Sequence, residues 1–206
     1  MTLGTQMAPS RQNNWPLLSK MGLLIVPQFF NQQLCQALID GSSDQPAHVA
    51  RVGEQSVTNE RIRSTKILPM DEKVADEIGQ RLDTLPPLLS QHFDLTITGR
   101  ENPQFLRYRQ GDFFQPHQDR HEDNRGYVAK RLITTVTFIN DPSDERRGYE
   151  GGELLIYGLF TDPQLLADAV PVFPAAGTLI AFRPEMVHEV TPVLNGERFT
   201  LATWFT

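Results

Sequence analysis

Apolar and polar positions change rhythm part-way along the chain. Residues 22–27 (GLLIVP) form a brief apolar run closed by proline, which predicts a strand. Asn31 is placed to cap a helix running to about Asp40, with Leu34, Cys35, Leu38 and Ile39 on its inner face. Residues 41–60 are rich in Gly, Ser, Asp, Gln and Asn and read as loop. Residues 61–68 (RIRSTKIL) alternate and predict a strand. Asp71 opens a second helix, on which Val74, Ile78, Leu82 and Leu85 recur until Pro86-Pro87 breaks the pattern.

From about Asn102 the apolar residues fall instead in short runs separated by turn residues: 104–109, 113–117, 131–140, 152–157, 177–182, 187–191 and 198–205. Short strands in close succession predict a sandwich or barrel. Residues 162–169 (DPQLLADA) look like a short helical insert. Helices in the first half and strands in the second predict a mainly β core with helices packed outside, an α+β arrangement rather than βαβ units.

Composition narrows the class. The chain has 206 residues, of which 39% are hydrophobic and 21% charged, the proportions of a globular domain with its own core. A formal net charge of -6 gives no support to nucleic-acid or anionic-membrane binding. The single cysteine, Cys35, excludes an internal disulfide and a cysteine-based zinc site. The N-terminus is polar and lacks the apolar centre of a secretory signal, and no apolar run approaches the length of a membrane span. The expectation is a cytoplasmic protein: a flexible segment over 1–20, a single domain over 21–206, and a β core over about 102–206. Nothing in the pattern specifies an oligomeric state.

The candidate chemistry starts at residues 114–119 (FQPHQD). Residues two apart on a strand share a face, so His117 and Asp119 point one way and Gln118 the other. Alone, such a pair is most often an ordinary surface feature. Two later stretches change the balance. His188 lies in the apolar run Met186-Val-His-Glu-Val190, and Arg198 begins the last strand-like run. Strands this far apart in sequence can meet at the mouth of a closed β structure. Two histidines and one carboxylate then form the facial triad used by non-haem Fe(II), with positions left open for a chelating co-substrate and O2. A guanidinium at Arg198 would meet the far carboxylate of a chelating dicarboxylate, and Thr200, on the same face, can add a hydroxyl donor. Against this, Asn195-Gly196 looks like a hairpin turn, on which Arg198 would be a solvated arginine.

Taken in order, Tyr108-Arg-Gln-Gly111, His117-Gln-Asp119, Gly151-Gly-Glu-Leu154, Gly177-Thr-Leu-Ile-Ala-Phe182, His188-Glu-Val190 and Arg198-Phe-Thr200 resemble the Fe(II)/2-oxoglutarate-dependent dioxygenases. More narrowly they resemble the prolyl 4-hydroxylase branch, which the ten-residue step from His188 to Arg198 fits. The likeness is strong from 102 onward and weak before it, where it rests on the 22–40 strand and helix and on residues 59–64 (NERIRS). The resemblance implies a double-stranded β-helix (jelly roll) in which His117, Asp119 and His188 hold iron. Arg198 would bind 2-oxoglutarate, with Thr200 and Tyr108 beside it. It also implies O2 as co-substrate and admits ascorbate. Phe114 and Phe138 stand where a hydroxyl-bearing residue is common in the family. Asp119 stands where the related halogenases have a small residue, so the resemblance implies hydroxylation.

The implied reaction is hydroxylation of an unactivated C–H with release of succinate and CO2, on a prolyl residue of a peptide or protein. A free amino acid or small metabolite is the alternative substrate. From other classes, a cupin-like metal enzyme or a non-catalytic binding module stay open. Arg120, Arg125 and Tyr127, in the charged loop 120–130, are candidate substrate contacts, although a solvated loop is the plainer reading. The same plain reading covers His121 and the charged loop 141–150; His48 and His92 carry no assignment.

Overall fold

The computed structural model describes residues 15–42, 48–49, 62–144, 146–160, 168–172 and 174–206. Its core is two antiparallel sheets packed face to face. The large sheet has the strand order β1 (Leu24–Val26), β10 (Leu179–Phe182), β6 (Ile133–Phe138), β13 (Arg198–Phe205), β4 (Gln104–Tyr108), β3 (Lys66–Leu68) and β2 (His48–Val49). The small sheet runs β5 (Phe114–His117), β11 (His188–Val190), β8 (Leu154–Ile156) and β9 (Val170–Val172). A separate ribbon pairs β7 (Tyr149–Gly151) with β12 (Val193–Gly196). This is the expected double-stranded β-helix.

Period-two alternation divides the large sheet chemically. Phe105, Ile133, Leu179, Ala181, Phe199, Leu201 and Phe205 join one core cluster with the helices outside it. The alternate residues, among them Leu106, Phe138, Ile180, Phe182, Ala202 and Trp204, pack toward the small sheet. The helices are α2 (Gln32–Gly41), α3 (Glu72–Leu82) and α4 (Pro86–Phe93). Asn31 caps α2 by accepting a hydrogen bond from the Leu34 N–H at 2.8 Å, and Leu34, Cys35, Leu38 and Ile39 are all buried, as the spacing predicts. Asp71 caps α3 in the same way.

Several local expectations change. The second helix stops at Leu82, so Leu85, expected on it, instead precedes α4, and Pro86-Pro87 start that helix rather than merely breaking a pattern, because the first turn of a helix needs no donated N–H. The strand expected over 61–68 is confined to Lys66–Leu68, with an isolated bridge from Arg63 to Phe114. Asn195-Gly196 is no hairpin turn: β12 pairs with β7, while β13 pairs with β4 and β6. Within the charged loop 141–150, Tyr149 and Glu150 belong to β7. The segment expected to be flexible up to residue 20 ends in a short helix, α1 (Trp15–Lys20), because Leu18 is buried with Leu23, Ile180 and Phe182. Residues 162–167 of the expected helical insert, and residues 59–61, fall outside the described residues, and Asp168 and Ala169 are not helical. No helix among the described residues is long and apolar enough to cross a membrane.

Gly177 shows how closely the helical layer is fitted to the sheet. It adopts φ +80°, and a Cβ there would run into the Phe30 carbonyl. Its own carbonyl accepts from the Phe30 N–H at 3.0 Å, and its N–H donates to Phe138 O at 2.7 Å. Gly158 has a similar φ of +72° with open space around it. Gly158→Ala should therefore cost only about 1–2 kcal/mol of backbone strain. Gly177→Ala should cost more, on the order of 3 kcal/mol or above, since strain and clash add. Urea unfolding of both variants checks this; equal losses would refute the fit.

Candidate active site

Strand register brings the distant residues together. β11 runs antiparallel to β5 with His188 directly opposite His117. β5 is an edge strand, where Pro116 forfeits no ladder bond. Asp119 follows β5 and is tied back by its N–H to Pro184 O at 2.8 Å. The Nε2 of His117 lies 3.7 Å from Asp119 Oδ1, and the Nε2 of His188 lies 3.6 Å from Asp119 Oδ2. One ligand atom from each residue falls within 4.8 Å of the others, close enough for a single ion to touch all three.

The surroundings fix the protonation that a metal ligand needs. His117 Nδ1 sits 2.8 Å from Gln115 O and His188 Nδ1 sits 2.9 Å from Met186 O. Each carbonyl accepts the Nδ1 proton, which leaves the Nε2 lone pair facing the cluster. Burial, then the neighbouring His188, push the His117 imidazole down to about 3, so it is neutral at ordinary pH. Burial would raise the Asp119 carboxyl. The imidazoles of His188 and His117, with donors from Trp204 and Thr134, outweigh it and hold the group at about 2. Thr134 Oγ1 donates to Asp119 Oδ2 at 2.7 Å. The Trp204 indole N–H faces the same carboxylate at a looser geometry than a full hydrogen bond.

Phe114 has a packing role. Its ring stacks on His117 at 3.4 Å between centroids and 13° between planes. The buried Arg63 guanidinium covers its other face at 4.7 Å and lies against the Tyr108 hydroxyl.

Arg198 projects from the inner face of β13 and is 1% exposed. Its register partner is Tyr108, and its guanidinium lies 5.1 Å from the ring centroids of both Tyr108 and Phe138. Nη1 reaches Thr200 Oγ1 at 3.5 Å, but Nε and Nη2 are buried without a partner. Gly152, at φ +63°, leaves room for this side chain, since a Cβ would come 2.9 Å from Arg198 Cδ. A cavity of about 330 Å³ adjoins it, sharing Phe138 and Gly152 as walls. A desolvated cation with two unmet donors is the complement of a carboxylate. The residues present thus fit both a triad-bound metal and an acidic co-substrate.

Residues 103–206 match the model of the 2OG-Fe(II) oxygenase superfamily. The chain belongs to that superfamily. Among its curated relatives, a PKHD-type hydroxylase from Shewanella oneidensis is 32% identical over 143 residues, covering 66% of this chain and 57% of its own length. The chain therefore spans little more than half of that relative. A solved Pseudomonas putida prolyl-4-hydroxylase aligns over 91% of this chain and 94% of its own, with a TM-score of 0.69 and 26% identity. A Trichoplax adhaerens prolyl hydroxylase, solved with a hypoxia inducible factor peptide fragment, aligns over 95% and 94% with a TM-score of 0.70 and 20% identity. The second likeness speaks for the fold alone.

Of the residues singled out in the sequence, His117, Asp119 and His188 cluster and Arg198 is buried on β13, as just described. Thr134, Trp204 and Arg131 were not singled out. Trp204 shares a strand face with Arg198 and Thr200, so the period-two rule could have found it; Thr134 and Arg131 carry no local signal. Of the loop candidates, Tyr127 is 53% exposed and Arg125 is exposed, whereas Arg120 is taken up by Glu185 and by Arg131 O. His121 is exposed, as expected.

Two outcomes follow from these contacts. His117 and Asp119 both resist protonation when folded, so the metal-free protein should lose stability as pH falls below about 6.5 and lose more below about 4. Urea midpoints measured from pH 7 to 4 should fall, and His117→Gln should flatten the upper part of the curve; parallel curves would contradict it. Thr134→Val should weaken Mn(II) binding about tenfold by freeing the Asp119 carboxylate, as read by calorimetric titration.

Proposed function

We propose that this protein is an Fe(II)- and 2-oxoglutarate-dependent dioxygenase that hydroxylates an unactivated C–H, on a prolyl residue of a peptide or protein. The observation that carries the reading is the buried Arg198 guanidinium, with Nε and Nη2 unmet, on the same face of β13 as Trp204, whose indole faces Asp119 of the His117, Asp119 and His188 cluster. Membership of the superfamily supports the iron and 2-oxoglutarate chemistry, and the prolyl-4-hydroxylase likeness supports the substrate class.

In this reading His117, Asp119 and His188 hold the metal, and Arg198 with Thr200 holds the far carboxylate of 2-oxoglutarate. Fe(II) with 2-oxoglutarate and O2 supplies oxidative chemistry that yields succinate and CO2 and places one oxygen atom in the substrate C–H. The chain's own work is positional. The Gln115 and Met186 carbonyls hold both imidazoles in the ligating tautomer. Thr134 holds the carboxylate. Phe138 and Tyr108 flank the guanidinium and exclude water from it, which strengthens its pairing with an anion. Tyr127, exposed beside the site, is the candidate for contact with the peptide.

Anaerobic addition of Fe(II) and 2-oxoglutarate to the apo-protein should produce the visible charge-transfer band of the chelate. The band should vanish in His117→Ala. In Arg198→Ala it should require a roughly 100-fold higher 2-oxoglutarate concentration, the value of a buried charge-assisted pair. No band in the wild type with metal bound would favour a cupin-like metal enzyme. Succinate release stimulated by proline-containing peptides, and not by free amino acids, would establish the substrate class; the reverse would point to a small metabolite.

A further inference from the structure

We infer that Glu101, which lies outside the site, is a positioning residue for the metal-binding carboxylate; this rests on the triad reading above. Glu101 sits just before β4. Its carboxylate takes both prongs of Arg131, Nε at 2.6 Å and Nη2 at 2.8 Å, in a pair whose side chains are only 11% and 20% exposed. Its main-chain N–H donates to Trp204 O at 2.8 Å. The remaining arm of Arg131, Nη1, donates to the Asp119 carbonyl at 3.2 Å. The flat face of the guanidinium lies 3.9 Å from the centroid of the Trp204 ring, with Tyr127 at 5.7 Å.

One guanidinium therefore braces two things at once: the main chain of Asp119, and the indole whose N–H faces the Asp119 carboxylate. Its orientation is set by Glu101, because a planar fork gripped at two nitrogens has no freedom to rotate. Remove the carboxylate and the fork is free to turn, Nη1 leaves the Asp119 carbonyl, and the ring of Trp204 loses its lid. Asp119 then presents its oxygens to the metal with less fixed geometry. Register supports the same unit from the other side, since Trp204 pairs with Thr134, the other donor to this carboxylate.

The test uses the full chain with Co(II), whose visible bands report ligand geometry without turnover. Glu101→Gln keeps the size of the side chain and removes the charge. It should weaken Co(II) binding about 10- to 100-fold and shift the bands, as loss of an outer support does. Glu101→Asp, which retains the carboxylate, should recover much of both. Arg131→Met, alone and combined with Glu101→Gln, should give the same loss as Glu101→Gln, because residues acting as one unit are not additive. Unchanged Co(II) affinity and spectrum in Glu101→Gln, with only the melting temperature lowered, would overturn the inference and leave a structural ion pair. Additive losses in the double variant would overturn it as well. Wild-type protein that binds no Co(II), or binds it as well with His117→Ala, would instead remove the triad reading on which it stands.

Discussion

β13 is the constraint on which the rest of the molecule depends. All eight of its residues are buried, with strands on both sides and packing on both faces. A strand in that position must match two different environments at alternate residues. Phe199, Leu201 and Phe205 meet the helices, while Arg198, Thr200, Ala202 and Trp204 look toward the small sheet. A slip of one residue would put a guanidinium into the helix interface and phenylalanines into the site. The register with β4 and β6 thus fixes hydrophobic packing and candidate chemistry together.

The interior of the β-helix holds an unusual concentration of polar groups for a core. Arg198, Arg63, Arg131 and His188 are all buried, and threonines 134 and 200 lie among them. Charges removed from water must be compensated. Two of these arginines are answered within the chain, Arg131 by Glu101 and Arg63 by Tyr108 and Asp119. At Arg198 the answer is incomplete, and Gly152, at positive φ, leaves space beside it instead of filling it. An uncompensated cation next to a cavity is a cost in stability that a binding site justifies.

Aromatic rings do much of the positional work around these residues. Phe114 lies flat on His117, Phe182 meets His188 edge-on at 4.8 Å, and Phe138 and Tyr108 flank Arg198. These contacts restrict ring and guanidinium orientation without adding a competing ligand for a metal. They also keep water away from both imidazoles, which accounts for the low pKa of His117.

Local chemistry made much of this legible in advance. The His-x-Asp spacing singled out His117 and Asp119, although β5 ends at His117 and Asp119 is aimed by the bond from its N–H to Pro184 O rather than by strand alternation. Asn31 and Asp71 cap their helices because their side chains accept from orphan N–H groups. The β-rich second half follows from its short alternating runs. Each depends on residues a few positions apart, which is the range over which a linear pattern carries information. What only the tertiary structure decided are the contacts across strands: His188 opposite His117, Thr134 and Trp204 converging on Asp119, and Glu101 gripping Arg131. The same holds for β7 with β12, which turned an expected hairpin and a charged loop into a ribbon. Strand pairing and side-chain ion pairs join residues tens of positions apart, and their partners are chosen by sheet register and burial, which no local spacing encodes.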